Sequence, residues 1–181
     1  MHIAYIGLGG NLPSPAGPPE AILAAAVARL SPLGRVAARS SLYSTAPVGF
    51  AEQPRFVNAV AALQTELAPR ALLCALMAIE QECGRDRAAS VPNGPRTLDM
   101  DILLFDDFVI GEADLEIPHP RLAERAFVLV PLGEIAADVC DPRSGMSIGD
   151  LLRGLSSSLD DAAHAVVRTQ SDLWDACAGR A

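Results

Sequence analysis

Residues 94–105 read Gly-Pro-Arg-Thr-Leu-Asp-Met-Asp-Ile-Leu-Leu-Phe, and polar and apolar residues alternate in the middle of this stretch. Successive side chains of a β-strand point to opposite faces, so Asp99 and Asp101 would share one face. The other face would carry Leu98, Met100 and Ile102. Two carboxylates on one face can bind Mg²⁺, which usually takes one or two carboxylates together with water and substrate phosphates. Taken alone, the pair is more typical of an ordinary half-exposed strand.

The amino-acid composition restricts the functions in which the two aspartates can take part. The chain has 181 residues, of which 50% are hydrophobic, so it can bury a core and form one domain. Its net charge of −8 argues against general affinity for nucleic acid or an anionic membrane. All 14 positive side chains are arginine, which excludes the phosphate-binding loop that ends in Gly-Lys-Ser/Thr and also excludes Schiff-base chemistry.

The cysteines and the N-terminus point to a reducing compartment. Cys74, Cys83, Cys140 and Cys177 show no Cys-x-x-Cys spacing and are expected to be reduced. The chain starts with a strand-like segment rather than an export signal, and its apolar runs fall short of the ~18 residues that span a bilayer. We expect a cytoplasmic, monomeric protein that does not bind membranes.

The order of the elements predicts the fold. Patterning indicates strands at 2–8, 35–44, 56–64 and around 99–105, with helices at 19–31 and from Pro69 to Gly84. Strand-helix-strand-strand-helix-strand is the split βαβ order, so we predict an α+β, ferredoxin-like antiparallel sheet with helices packed on it. A hairpin near 108–110 and a helix at 126–136 extend it. We expect a catalytic domain at 1–155 and a loosely ordered C-terminal appendage at 156–181.

Several other functions lack their motifs. The segment from Gly7 to Leu12 follows a strand, but Leu12 stands where a dinucleotide-binding Gly-x-Gly-x-x-Gly motif needs its last glycine. The histidines show no metal-ligand spacing, and no Gly-x-Ser-x-Gly motif of a serine hydrolase is present.

Residues around the Asp pair suggest phosphate and ring recognition. Five arginines near it in sequence could clamp a triphosphate, or could be solvated loop charges; they are Arg85, Arg87, Arg96, Arg121 and Arg125. His119 lies between two prolines, as either a phosphate or ribose contact or a surface turn residue. Phe56 and Asn58 share one strand face, where a flat heterocycle could stack on the ring while the amide binds its edge.

Together these motifs resemble the 6-hydroxymethyl-7,8-dihydropterin pyrophosphokinase family of folate biosynthesis. The resemblance covers about three quarters of the chain and rests on ordered blocks, above all Pro-Arg-Thr-Leu-Asp-Met-Asp-Ile at 95–102 and Pro-His-Pro-Arg at 118–121. It implies transfer of diphosphate from ATP to the pterin hydroxymethyl group, with release of AMP.

The resemblance also implies residue roles. Two Mg²⁺ ions would bind Asp99 and Asp101, and Arg85 and Arg96 would join them as catalytic residues. The pterin would contact Thr45, Val48, Phe56, Asn58 and Phe127. ATP would contact Glu80, Arg85, Arg87, Arg96, Ile102, His119 and Arg125. Loops near 46–55 and 85–95 would close over the ligands.

Three departures from the family pattern predict weaker or slower nucleotide handling: residues 88–93 lack an arginine and a tryptophan found in some members, and Asp114 and Glu116 replace a basic residue and a threonine. One alternative is a catalytically weak paralogue that binds pterin or nucleotide as a regulatory module. Another, an RNA-binding sheet of the same topology, is opposed by the 4% aromatic content and the acidic charge.

Overall fold

The computed structural model describes residues 1–47, 52–85, 94–156 and 166–176. The strands are β1 (His2–Gly10), β2 (Arg35–Arg39), β3 (Leu42–Thr45), β4 (Phe56–Thr65), β5 (Asp99–Phe105), β6 (Ile110–Glu112), β7 (Leu115–Ile117) and β8 (Val166–Thr169). The helices are α1 (Pro19–Ala28), α2 (Pro69–Glu82), α3 (Ala126–Ala136), α4 (Ile148–Ser156) and α5 (Asp172–Ala176), with short 3₁₀ turns at Ser31–Leu33 and Leu122–Glu124.

One six-stranded sheet organises the chain, in the order β5-β1-β4-β3-β8, with β2 also paired to β4. The pairings within it are antiparallel. β6 and β7 form a separate hairpin, a few residues later than predicted. The prediction of an α+β protein with an antiparallel sheet and packed helices is confirmed.

Helices cover both faces of the sheet. α1 and α2 pack on one face, where Ile22, Leu23 and Leu76 meet Ile6 and Met100 in the main core. On the opposite face α3 and α4 form a second apolar cluster with the far half of β5; it includes Leu129, Leu132, Ile148, Leu103 and Leu104. The second cluster covers only part of that face, and the uncovered part holds the candidate site.

The predicted strand at 35–44 is divided, which corrects the single strand expected from the sequence. Ser40, which is 2% exposed, separates β2 from β3. Its hydroxyl oxygen accepts a hydrogen bond from the Val60 N–H at 2.9 Å and donates to the Ser41 carbonyl at 2.8 Å. A side chain that satisfies neighbouring backbone groups competes with the regular ladder, so the chain bends here.

The C-terminal region contributes elements that the sequence pattern did not predict. β8 pairs with β3, and Trp174 of α5 is buried, with its Nε1 donating to the Ser40 carbonyl at 3.0 Å. The guanidinium of Arg39 lies 4.8 Å from the Trp174 ring centre. Residues 166–176 are thus packed against the sheet, while the predicted division at residue 155 stays a prediction. In the described ranges no helix combines the length and apolarity needed to cross a membrane.

Candidate active site

An open cleft with about 430 Å³ of empty space lies on the sheet face that α3 leaves uncovered. Its floor is β1, where Gly7 and Gly9 carry no side chains. The register places Gly9 between Asp99 of β5 and Asn58 of β4, and Gly7 between Asp101 and Val60. Because directly paired residues share a sheet face, the two glycines open a trough between the carboxylates on one side and the Asn58 amide on the other.

The two aspartates face this trough as predicted, while Met100 and Ile102 are buried on the opposite face. Asp99 is paired with two arginines: Arg85 Nη1 lies 2.5 Å from its Oδ1, and Arg96 Nε lies 3.0 Å from its Oδ2. In the described part of the chain, Asp101 has no arginine within ion-pair distance. Burial, followed by the nearby charge of Asp99, raises the pKa of Asp101 to about 6. A cation between the two carboxylates would relieve this repulsion.

Glu80 and Arg85 orient the start of β5 from its outer edge. Glu80 is fully buried, and its Oε1 accepts a hydrogen bond from the Met100 N–H at 2.7 Å. Arg85 Nη1 donates to the Leu98 carbonyl at 2.7 Å as well as to Asp99. These contacts occupy backbone groups that a lone edge strand would leave open, and they fix the direction of the Asp99 carboxylate.

Arg96 connects the charged end of the cleft to an aromatic ring. Its guanidinium carbon lies 5.0 Å from the ring centre of Phe56, which is 8% exposed. Arg96 lines the cleft, whereas Phe56 lies behind it. A flat ligand could therefore reach the Phe56 face only if the Arg96 side chain moved away.

The N-terminal end of α3 forms the opposite wall. Arg125 and Phe127 both line the cleft, with the guanidinium carbon 5.5 Å from the Phe127 ring centre. Burial and then the like charge of Arg121 lower the pKa of Arg125, because the guanidinium is partly dehydrated and has another arginine nearby. An arginine that has lost part of its hydration binds an anion such as phosphate more strongly.

His119 lies beside this wall and is held in one orientation. Its Nδ1 accepts a hydrogen bond from the Arg121 N–H at 3.1 Å, so the neutral ring carries its proton on Nε2 and can donate from there. Burial, followed by the charge of Arg125, lowers its pKa to about 4. At neutral pH His119 is an uncharged hydrogen-bond donor.

The other end of the cleft is built from buried polar groups. The Nδ2 of Asn58 donates to Thr45 Oγ1 at 2.7 Å, and both residues are less than 10% exposed. This bond leaves the Asn58 carbonyl oxygen, Oδ1, directed toward Gly9 and the floor of the cleft. An amide edge so placed can recognise a heterocycle that offers N–H donors.

The structure thus brings together in the cleft lining six of the predicted residues: Asn58, Arg96, Asp99, Asp101, Arg125 and Phe127. Ile102 lies in the core on the opposite face, so a nucleotide contact there would have to come from its backbone. Val48, Arg87 and the loop at 88–93 lie outside the described residues. Asp114 and Glu116 form surface ion pairs with Arg70 and Arg143, at 2.6 and 3.3 Å.

Two residues that support the site were not singled out from the sequence. Asn11 is 3% exposed and donates hydrogen bonds to Gln53 Oε1 and to the Pro54 carbonyl. It also accepts a hydrogen bond from the Arg96 N–H, so this side chain joins segments from both sides of the cleft. Glu134 of α3 accepts hydrogen bonds from Ser41 and Tyr43. Nothing in their sequence spacing signals these roles, because their partners are distant in the chain.

Comparison with known proteins identifies relatives over most of the chain. The family model described as 7,8-dihydro-6-hydroxymethylpterin-pyrophosphokinase matches residues 5–137. The 2-amino-4-hydroxy-6-hydroxymethyldihydropteridine pyrophosphokinase of Pseudomonas aeruginosa is 50% identical over 150 residues, which cover 82% of this chain and 88% of the relative. The protein of the same name from a Synechocystis species is 42% identical over 153 residues, covering 83% and 75%.

A solved structure supports the fold. The crystal structure of wild-type HPPK-DHPS from Plasmodium falciparum matches 86% of this chain with a TM-score of 0.68 and 16% sequence identity. The match covers 45% of that chain, so the present chain spans about half the length of that protein.

Proposed function

We infer, because the chain belongs to the 7,8-dihydro-6-hydroxymethylpterin-pyrophosphokinase family, that it transfers diphosphate from ATP to 6-hydroxymethyl-7,8-dihydropterin in folate biosynthesis. The products are AMP and the pterin diphosphate. One observation carries the assignment of the site: a single glycine-floored cleft has two carboxylates at one end and a buried amide and an aromatic ring at the other.

We propose that Asp99 and Asp101 hold two Mg²⁺ ions. The donor set fits, because both carboxylates face the cleft and the charge of Asp99 repels that of Asp101. The pKa of Asp101 is raised first by burial and then by this repulsion. Mg²⁺ accepts such a small set of carboxylates when water and phosphate oxygens complete its shell. When bound, the ions supply charge neutralisation for the transferred phosphates.

The protein side chains then act by positioning and by electrostatics. Arg85, Arg96 and Arg125 surround the carboxylates and would bind phosphate oxygens, while His119 Nε2–H would donate to a further oxygen. The pterin hydroxyl oxygen attacks the β-phosphorus, and the bond from that phosphorus to the oxygen bridging the α-phosphate breaks. We assign the hydroxyl proton to the Asp101 carboxylate, which lines the cleft that would hold the pterin.

At the other end, we propose that Asn58 binds the pterin edge and that Phe127 stacks on its ring. Phe56 would stack on the opposite face after Arg96 turns from the ring toward phosphate. The Thr45 side chain would contribute by fixing the Asn58 amide, since Thr45 Oγ1 already accepts from it. Glu80 would act on the ATP side through Asp99 and β5, given its full burial.

We further propose that the core is a split βαβ, ferredoxin-like arrangement. The support is the strand order β5-β1-β4 followed by β2 and β3, with α1 and α2 as the two crossovers on one face. A monomeric state and a cytoplasmic location complete the proposal.

One assay tests the function directly. AMP is measured from ATP and Mg²⁺ with and without the reduced hydroxymethylpterin, for the native protein, Asp99→Ala and Asp107→Ala. Asp107 is an exposed turn residue and provides a control with the same charge change. We expect pterin-dependent AMP formation that only Asp99→Ala abolishes. Tight pterin binding without AMP formation would instead support the regulatory module and refute the enzyme.

A further inference from the structure

Glu134 of α3 accepts three hydrogen bonds from residues at the start of β3. Its Oε2 accepts from the Ser41 N–H at 2.8 Å and from the Tyr43 hydroxyl at 2.9 Å, and its Oε1 accepts from the Ser41 hydroxyl at 2.7 Å. Arg168 of β8 approaches the same carboxylate to 3.9 Å. The hydrogen-bond donors lie at the start of β3, more than 90 residues before Glu134 in the chain.

The helix end of this contact leads to the cleft. Glu134 lies seven residues after Phe127, so the two side chains share one face of α3. Both side chains belong to α3 (Ala126–Ala136), so a shift of this helix at Glu134 would also move Phe127. Pro131 lies between them and removes the backbone hydrogen bond to the Phe127 carbonyl, so the coupling acts through the helix as a whole.

The strand end of the contact leads to the same cleft. Ser41, Tyr43 and Thr45 alternate along the chain, so they point to one sheet face. Tyr43 pairs with Asn58 in the register, and Thr45 Oγ1 accepts from the Asn58 amide at 2.7 Å. The Glu134 carboxylate thus holds β3 at Tyr43, and Thr45 of the same strand fixes the Asn58 amide proposed to bind the pterin.

We propose that Glu134 is a positioning residue for the pterin: it fixes the distance between Phe127 on α3 and the Thr45–Asn58 pair on the sheet, and so sets the width of the ring-binding end of the cleft. The proposal rests on the assignment of Phe127 and Asn58 to pterin recognition. Ionised acceptors form stronger hydrogen bonds than neutral ones, which suits a carboxylate with three donors.

The ionisation of Glu134 is consistent with this arrangement. Partial burial alone would raise its pKa, but the hydrogen bonds from Ser41 and Tyr43 outweigh burial, so the pKa of Glu134 is lowered. The charged groups that face it from the neighbouring elements include Arg168, whose charge acts in the same direction. The carboxylate therefore stays ionised at neutral pH.

The test compares ligand affinities rather than stability alone. Pterin affinity is measured by titration in the presence of a non-hydrolysable ATP analogue and Mg²⁺, and the affinity for that analogue is measured separately. We expect Glu134→Ala to raise the pterin Kd roughly ten-fold, equivalent to about 1.4 kcal/mol, with the nucleotide Kd nearly unchanged. Glu134→Gln keeps an acceptor oxygen and should restore most of the pterin affinity.

A matched control separates positioning from general destabilisation. Ser147→Ala removes a hydroxyl that accepts from the Asp150 N–H at the start of α4, away from the cleft. We expect this variant to lower Tm without changing the pterin Kd. Should Glu134→Ala fail to fold, Tyr43→Phe removes one of the three donors and should raise the pterin Kd in the same direction, by a smaller factor.

The outcomes discriminate between the two levels of the proposal. A pterin Kd unchanged in Glu134→Ala and Tyr43→Phe, together with a raised Kd in Asn58→Ala, overturns the role of Glu134 and keeps the site. An unchanged Kd in Asn58→Ala overturns the pterin site itself, and the role of Glu134 with it. Equal losses of pterin and nucleotide affinity in Glu134→Ala would indicate a purely structural role.

Discussion

Replacing Gly9 with alanine should close the pterin end of the cleft from below. A Cβ atom at this position would lie 2.8 Å from Asn58 Oδ1, closer than such contacts allow. Asn58 has little freedom to yield, because its Nδ2 donates to Thr45 Oγ1 at 2.7 Å and the residue is 7% exposed. The added methyl group must therefore push the amide out of its position or distort β1.

The magnitude follows from these two costs. Overpacking a tight interior by one carbon typically costs about 1–3 kcal/mol. For a protein of this size, that range corresponds to a fall in Tm of roughly 2–12 °C. Displacing the Asn58 amide also removes a buried recognition group, so we expect a pterin Kd raised by roughly ten-fold or more, since tenfold is about 1.4 kcal/mol.

Thermal melts and pterin titrations on Gly9→Ala measure both effects. Gly111→Ala is the matched control, since Gly111 also lies in a strand and an added Cβ there meets nothing within 4 Å. We expect the control to retain native Tm and affinity. If Gly9→Ala binds pterin within two-fold of the native protein and melts at the same temperature, then the cleft floor does not position Asn58, and the reasoning is wrong.

Three further changes probe other parts of the site. Asp101→Asn should abolish activity yet stabilise the metal-free protein at pH 7.5 by about 1–3 kcal/mol. Burial raises the pKa of Asp101 to about 6, so ionisation of this carboxyl group lowers the stability of the native protein as the pH rises through 6. A pH series of thermal melts without metal would contradict this if the variant gained no stability at pH 7.5, or if its gain persisted at pH 4. Trp174→Ala should lower the free energy of unfolding by about 3–5 kcal/mol, because the ring is 3% exposed. If urea unfolding gave a decrease below 1 kcal/mol, α5 would not be part of the cooperative fold. Glu80→Ala should lower the free energy of unfolding by about 1–3 kcal/mol, because it leaves the Met100 N–H unpaired, whereas Glu80→Gln should lower it less. Equal losses in the two variants, measured by urea unfolding, would exclude this hydrogen bond as the cause.

The sequence predicted the parts of the fold that depend on local periodicity. Alternation in residues 98–102 placed Asp99 and Asp101 on one face, and the structure confirms it, while helical spacing from Pro69 to Gly84 predicted α2 closely. The division at Ser40 was missed because its cause is a hydrogen bond to Val60, 20 residues away. Trp174 was missed for the same reason, since its contacts are to the distant residues Ser40 and Arg39. The support from Glu134 and Asn11 likewise comes from tertiary contacts that have no sequence period.

The last part of β5 shows why the site ends where it does. Between Ile102 and Leu104 the register with β1 shifts by one residue, so Leu103 is an extra residue and β5 contains a bulge. Leu103 and Leu104 consequently both face α3, in the second apolar cluster, and the polar face that began with Asp99 stops after Asp101. A regular strand would have carried the alternation on and turned Leu104 into the opposite core. The bulge therefore lets one strand serve two purposes: its first half presents carboxylates to an open cleft, and its second half anchors α3, the helix that supplies Arg125 and Phe127 to the same cleft.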